Sequence, residues 1–448
     1  MHLIGLDIGT TSVCGALLEA RTRRMIRSVT LDNTAALRSS RSWEFAQDAE
    51  SIWRTAESVL SELRSDRAEV LGIGITGQMH GILYVDKEGN AVSPLYTWQD
   101  KRGDMPYSKE ATYAEQLARL TCYPMATGFG MATHFYNQQN GLVPPGASAL
   151  CTIADYVAMR LANRTRPLID PTNASGLGLY DPRLLEFDRA ALTHAEIDAG
   201  LLPEQVPSGT VIGRIKDGIP VATALGDNQA SFLGAVPDVR SSVLLNIGTG
   251  SQISVYSDAY CADECRTAGG IDIRPFPGGG YLLVGASLSG GKSYALLERF
   301  FREVITSFTG SDESSLYETM NRMAEAETAD EFELKVNTRF FGTRADPLAR
   351  GTIDGVCPDN WTPGHLIRGF LEGMAGELAG YYDLLPPSVR ERAKALVVSG
   401  NGVRRNGALR RILERLFGLP LLLPDGGEEA SRGAAICAGV GCGLYASF

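Results

Sequence analysis

One seven-residue pattern occurs twice in this chain, and it constrains the fold more than any other feature. Leu6-Asp7-Ile8-Gly9-Thr10-Thr11-Ser12 returns as Leu245-Asn246-Ile247-Gly248-Thr249-Gly250-Ser251, with five of the seven positions identical. Each copy joins two apolar runs, Leu3–Ile8 to Val13–Leu18 and Val243–Ile247 to Gln252–Tyr256, so each reads as strand, tight turn, strand. A second echo follows. Ile75-Thr76-Gly77-Gln78 comes after a first helical stretch, and Val398-Ser399-Gly400-Asn401 after another around His365–Leu384. The period is too long for a solenoid, so the pattern predicts one α/β unit built twice. The length of 448 residues agrees, since single cores stop growing beyond ~250–300 residues. The expected division is 1–235 and 236–448.

Within the first copy, Met25–Leu31 can supply a third strand. Asp48 fits a helix N-cap, followed by Ala49, Ile52, Trp53, Ala56, Val59, Leu60 and Leu63 at helical spacing, with Phe45 just ahead. Val70–Ile75 reads as a buried strand running into Gly77-Gln78-Met79-His80-Gly81. From Pro106 to Leu225, Pro and Gly break the chain into short pieces. Near the other end the pattern predicts a helix over Arg405–Phe417, a strand over Leu419–Leu423 and a helix over Glu428–Val440. Gly433, Gly439, Gly441 and Gly443 would let that last helix approach a neighbour closely.

Composition excludes several classes. A formal net charge of −10 argues against nucleic acid, which needs a clustered basic surface. No run approaches the ~18 apolar residues of a membrane span, and the first residues lack the basic-then-apolar order of a signal peptide. The eight cysteines are scattered, and neither Cys261/Cys265 nor Cys437/Cys442 has a partner pair at zinc spacing. A reduced, cytoplasmic chain is expected, and both a monomer and a homodimer fit.

The two turns share a chemical logic. Thr10, Thr11 and Ser12, and likewise Thr249, Gly250 and Ser251, expose backbone N–H and hydroxyl groups without bulk, a concavity suited to phosphate oxygens. One such turn alone would read as a plain hairpin; two at equivalent places can grip a polyphosphate. Asp7 differs from its counterpart Asn246. A carboxylate beside a phosphate loop needs a cation between them, and Mg²⁺ takes one or two carboxylates plus waters and phosphate oxygens, so Asp7 reads as the metal-organising residue or, more plainly, a turn cap. Asp227 follows the strand Val221–Leu225 and could accept the proton of an alcohol as a phosphoryl group arrives; an exposed loop Asp is the alternative. Gln78, His80, Trp98 and Asp100 suit a polyol, with side-chain donors and acceptors for hydroxyls and an indole for the C–H face. Met79 would touch the sugar or pack. Gly400, Asn401 and Gly402 would let adenine slip between backbone and helix, or form an ordinary strand-to-helix turn.

Taken together, these segments resemble the FGGY carbohydrate kinases of the actin-like ATPase superfamily. Asp7–Ser12 is similar to their first phosphate motif, Gly77–Gly81 to a sugar-contacting stretch, Gly226-Asp227-Asn228-Gln229-Ala230 to the segment with the catalytic Asp, and Ser399–Asn406 to the adenosine motif. The resemblance implies an α/β fold of two duplicated actin-like (ribonuclease H-like) domains facing a cleft that holds ATP and Mg²⁺. It implies Asp227 as general base, Asp7 at the metal, and Gly291 and Asn406 among the nucleotide contacts. The partner it implies is a small free sugar. Thr97–Asp100, Ala126–Gly130 and Ala286–Gly291 are most similar to members that phosphorylate sedoheptulose, a seven-carbon ketose; xylulose or another pentulose or polyol is the alternative. In that reading Phe129 covers the sugar's C–H face, and Gly128, Gly130 and Ala132 leave room for the longer chain. An actin-like ATPase acting as a chaperone, or a non-catalytic sugar-binding regulator, would be different classes; the sugar-reading cluster and both Asp7 and Asp227 disfavour them.

Overall fold

The computed structural model describes residues 1–64, 69–262, 270–311, 314–326, 334–343, 346, 348–424 and 426–448. The chain divides into two compact units. The first is Met1–Ala235 with Arg274–Gly280 and Gly426–Phe448; the second is Val236–Ile273 with Tyr281–Asp425.

In the first unit, His2–Ile8 pairs antiparallel with Ser12–Glu19 and parallel with Val70–Gly77, and Met25–Asp32 flanks Ser12–Glu19. The helix Ala49–Leu63 has its N-cap where the spacing predicts it, with Asp48 accepting from the Ser51 N–H. It buries Ile52, Trp53, Ala56, Val59, Leu60 and Leu63, while Phe45 stays half exposed. The segment expected to be broken up holds regular helices, Tyr113–Thr121, Gly130–Gln139 and Ile153–Leu161 among them. It has a core of its own around Ile82, Tyr84, Leu117, Phe135 and Leu177. Good N-caps at Thr112 and Thr152 hold two of these helices against the Pro and Gly breaks.

The second unit repeats the plan. Ser242–Ile247 pairs antiparallel with Ser251–Ser257, which pairs with Tyr281–Ser287; after the helix Pro363–Asp383, Ala395–Ser399 lies parallel to Ser242–Ile247. The register is equivalent too. Asp7 lies across from Cys14 and Thr76, and Asn246 across from Gln252 and Ser399.

By packing, two segments beyond the expected 235/236 division lie with the first unit. The last helix, Glu429–Gly441, belongs to the first unit, where it covers the first strand and the helix Asp227–Ala235. Its close approach depends on small residues: a Cβ at Gly5 would sit 1.7 Å from the Ser431 carbonyl oxygen, and one at Gly433 1.9 Å from that of Ala230. Packing this tight cannot be read from a helix's own sequence, because its partners lie about 200 and more than 400 residues earlier, at Ala230 and Gly5. The segment Arg274–Gly280 also returns to the first unit.

Candidate active site

The strand Leu225–Gly226 runs parallel to Val70–Gly77 and delivers Asp227 as the first residue of the helix Asp227–Ala235. This step is fixed from below. The Thr76 hydroxyl donates to the Leu225 carbonyl at 2.9 Å, and the Gly226 N–H donates to the Thr172 hydroxyl at 2.8 Å. That hydroxyl in turn binds the fully buried Asp170 carboxylate. Asp227 and Asp7 are both half-buried, and the Asp227 charge acts on Asp7. Burial, then Asp227, then Glu428 raise the Asp7 carboxyl to about 7. Burial raises Asp227 to about 6, while the Arg274 guanidinium pulls it back down. A carboxylate titrating near 6 is ionised at neutral pH and still able to take a proton, as a general base requires.

Beside the acid pair stands the loop Gln78–His80. His80 holds a positive φ of 73°. Its Nδ1 lies 2.6 Å from the Gly176 carbonyl, which can only accept, so Nδ1 carries the proton. The ring stacks on Phe129 at 4.9 Å between centroids. Met79 lies against Gly226, where an added Cβ would meet its sulfur at 2.8 Å.

Several residues expected to touch ligand directly are instead built into the walls. Gln78 is 4 % exposed and sits in a chain of hydrogen bonds whose ends fix its direction. The Trp98 indole N–H donates to the Thr10 hydroxyl (3.0 Å), which donates to Gln78 Oε1 (3.2 Å). Gln78 Nε2 donates to Gln47 Oε1 (2.9 Å), and Gln47 Nε2 to the Thr10 carbonyl (2.8 Å). Thr10 and Gln78 therefore hold the turn and the indole rather than a ligand. Asp100 has no exposure at all. Its carboxylate accepts from the Phe45 and Arg102 N–H groups and from the Arg102 guanidinium, with Nε at 2.6 Å. Met79, 4 % exposed, packs. What stays open on this side is the half-exposed face of Trp98, His80, Phe129 and the exposed Thr11, with Ser12 partly so.

The small residues around Phe129 are also not pocket space. Gly128 has φ +84°, and a Cβ there would lie 2.0 Å from the Trp98 carbonyl oxygen. Gly130 packs on Ile82 and Leu177, and Ala132 is in the core.

In the second unit, the turn 248–250 carries exposed Asn246 and Thr249. It rests on the start of the 20-residue helix Gly290–Thr309, whose Gly291 and Lys292 N–H groups donate to the carbonyls of Gly248 (2.8 Å) and Thr249 (3.0 Å). Gly291 is thus a support for the turn, and the helix directs its positive end there. Ser251 is buried. Gly400, φ 116°, sits against Ile247, where a Cβ would lie 2.2 Å from the carbonyl oxygen; Gly77 bears on Ile8 in the same way. Gly402 faces open space, and the Asn401 side chain lies outside what the structure describes. Asn406 is corrected from nucleotide contact to helix cap. It is 2 % exposed, accepts from the Leu409 N–H and donates to Asn321.

Sequence reasoning missed Arg274 and Glu428, both far from Asp7 and Asp227 in the chain. Among the described residues, no group of three or more His, Cys, Asp or Glu side chains is arranged to hold a metal, and no helix is long and apolar enough to cross a membrane.

One unit carries the carboxylates and the other a neutral, hydroxyl-bearing turn on a helix start; the repeated α/β plan and the family match below make this a phosphotransferase of the duplicated actin-like type. The chain belongs to the FGGY family of carbohydrate kinases, with residues 2–242 matching its N-terminal domain and 245–442 its C-terminal domain. It is a sugar kinase acting on a small molecule. It is 29 % identical to the sedoheptulokinase of Mus musculus over 97 % of this chain and 96 % of that protein. Its fold is similar to the ligand-bound xylulose kinase of Lactobacillus acidophilus (TM-score 0.82, 20 % identity, covering 99 % of this chain and 90 % of that one). It is also similar to the glycerol kinase of Plasmodium falciparum with ADP (TM-score 0.79, 19 % identity, 99 % and 90 %).

Proposed function

We propose that this kinase transfers the γ-phosphoryl group of ATP to the terminal primary hydroxyl of sedoheptulose, with Asp227 as the general base. The observation that carries the base assignment is the placement of Asp227. It stands at the end of a strand and the start of a helix, half-buried, with a carboxyl raised to about 6 and the His80–Phe129 stack on a neighbouring loop. As the sugar oxygen bonds to phosphorus, the bond to the leaving oxygen of ADP breaks and the hydroxyl proton passes to Asp227. His80 binds hydroxyls, and the faces of Phe129 and Trp98 cover C–H groups.

Each unit's hydroxyl-bearing turn is assigned a phosphate-binding role by itself, Thr11–Ser12 in the first and Thr249–Gly250 in the second. The helix start beneath the second turn favours negative charge there. Adenosine is assigned to the region of Gly400 and Gly402. Mg²⁺ fits the donor set. Asp7 is a hard oxygen donor whose carboxyl is raised first by burial and then by the neighbouring carboxylates of Asp227 and Glu428, and Mg²⁺ takes one or two carboxylates plus waters and phosphate oxygens. Asp7 would hold it through water. Bound there, the ion would neutralise phosphate charge.

Sedoheptulose is favoured by the near full-length similarity to the mouse sedoheptulokinase. The test is an ADP-release screen of the purified protein against ketoses, aldoses and polyols. We expect kcat/KM for sedoheptulose to exceed that for D-xylulose by at least ~10-fold, about 1.4 kcal/mol of differential transition-state binding. Parity or a preference for xylulose would overturn the substrate while leaving the kinase.

A further inference from the structure

Residues Arg274–Gly280 form a short segment that is flanked in sequence by the second unit but packs within the first. It is held there at three points. Gln229, on the helix that Asp227 begins, donates to the Pro275 carbonyl at 3.0 Å. Phe276, 5 % exposed, meets Phe232 of the same helix edge-on at 5.7 Å. Gly278 lies on the Phe448 ring. The first residue of the segment is Arg274, whose Nη1 donates to Asn228 Oδ1 at 3.3 Å, next in sequence to Asp227.

We propose that Arg274 is a further catalytic residue of the phosphoryl transfer, placed beside Asp227 to meet the negative charge of the phosphoryl group as it reaches the acceptor oxygen. The inference rests on Asp227 being the base. A base must lie within hydrogen-bond reach of the hydroxyl it deprotonates, and that hydroxyl oxygen is the atom that bonds to phosphorus. A guanidinium fixed on the neighbouring residue is therefore close to the phosphorus-bound oxygens, over which the transition state spreads its charge. The carboxylates of Asp227 and Glu428 both act on Asp7 here, and Asp170 lies below Gly226. An anionic group entering such a place needs a compensating cation. The planar fork of an arginine matches phosphoryl oxygens in a way a flexible ammonium does not. The step is the one already given: the sugar O–P bond forms, the bond to ADP breaks and the proton goes to Asp227. Arg274 adds only charge stabilisation.

The experiment uses the full chain and whichever sugar reacts fastest in the screen. Arg274→Gln should lower kcat by at least ~10²-fold, a modest share of what transition-state arginines supply, with KM for the sugar within ~3-fold. Arg274→Lys should recover ~10-fold of the loss. If Arg274→Gln does not keep the wild-type Tm, Arg274→Met, which keeps the packing stem without the charge, takes its place. Combining the neutral variant with Asp227→Asn should cost little beyond the larger single loss, because the two act in one step. An unchanged kcat, a loss confined to the sugar KM, or a Lys variant as poor as the neutral one each overturns the proposal. Near-normal turnover by Asp227→Asn alone would instead overturn the base assignment, which is read from a separate protein.

Discussion

The turn at 9–11 and the turn at 248–250 hold the same register position in their two sheets, yet they differ in what their side chains are free to do. In the first, the Thr10 hydroxyl is bonded on both sides, to Trp98 and Gln78, and the strand beneath carries Asp7, on which further carboxylates act. In the second, Thr249 is exposed, Asp7 is replaced by exposed Asn246, and a helix start lies under the carbonyls. A duplicated loop has thus diverged by charge more than by backbone. The carboxylate-bearing copy suits proton and metal chemistry, and the neutral copy suits an anion.

The largest expected effect tests the acidic copy. Asp227→Asn keeps the shape and removes the base, so kcat should fall by at least ~10²-fold with little change in sugar or ATP affinity; steady-state and single-turnover rates check this. Next comes exchanging charge between the copies. Asn246→Asp puts a like charge beside the triphosphate and should raise the KM for ATP by ~10-fold or more. Asp7→Asn should leave that KM alone and raise the Mg²⁺ concentration needed for half-maximal rate. A reversed outcome would assign the two turns the other way round.

pH separates the two carboxylates of the first unit. Because Asp227 must be ionised, kcat/KM should fall tenfold per unit as pH drops below about 6. Stability runs oppositely. The folded Asp7 carboxyl titrates at about 7 against an ordinary value of 3.8, so its contribution is fully present below about 4 and is lost as pH rises through 7. Without Mg²⁺, Asp7→Asn should therefore gain ~2–4 °C in Tm over the native chain at pH 8, and nothing comparable at pH 4. The smallest contrast is between the threonines. Thr10→Val strands a buried Gln78 acceptor and should lower Tm by a few degrees, the cost of ~1–2 kcal/mol. Thr249→Val should leave Tm unchanged and weaken ATP binding several-fold.

Most of the architecture was legible in the chain because repetition and hydrophobic period are local signals. Both turns and the Asp48 cap fall where the pattern puts them, while the strand expected over Val221–Leu225 appears as two short ones, Pro220–Ala222 and Leu225–Gly226. The site was legible as a neighbourhood rather than as contacts. Trp98-Gln99-Asp100 lies beside the Thr10 turn, but the sequence does not say that Asp100 spends its carboxylate on Arg102 two residues on. Nor does it say that Gly128 is small to clear the Trp98 backbone. Polar residues in a motif look alike whether they face a ligand or hold the residue that does, since both tasks need the same donors and acceptors. Arg274 gave no signal because nothing local marks a segment that packs with a different unit from its neighbours.

The return of Glu429–Gly441 to the first unit bears on how the chain is made. When residue 235 leaves the ribosome, the face of the sheet around Gly5 and Gly74 has no helix to cover it, because the residues that pack there begin at 426. At ~5–20 residues per second the gap lasts ~10–40 s. Through that interval the nascent chain presents a bare sheet surface to its surroundings while the second unit, which ends at Asp425, is still being made. Synthesis order and completion order are therefore inverted, and the half that emerges first matures last.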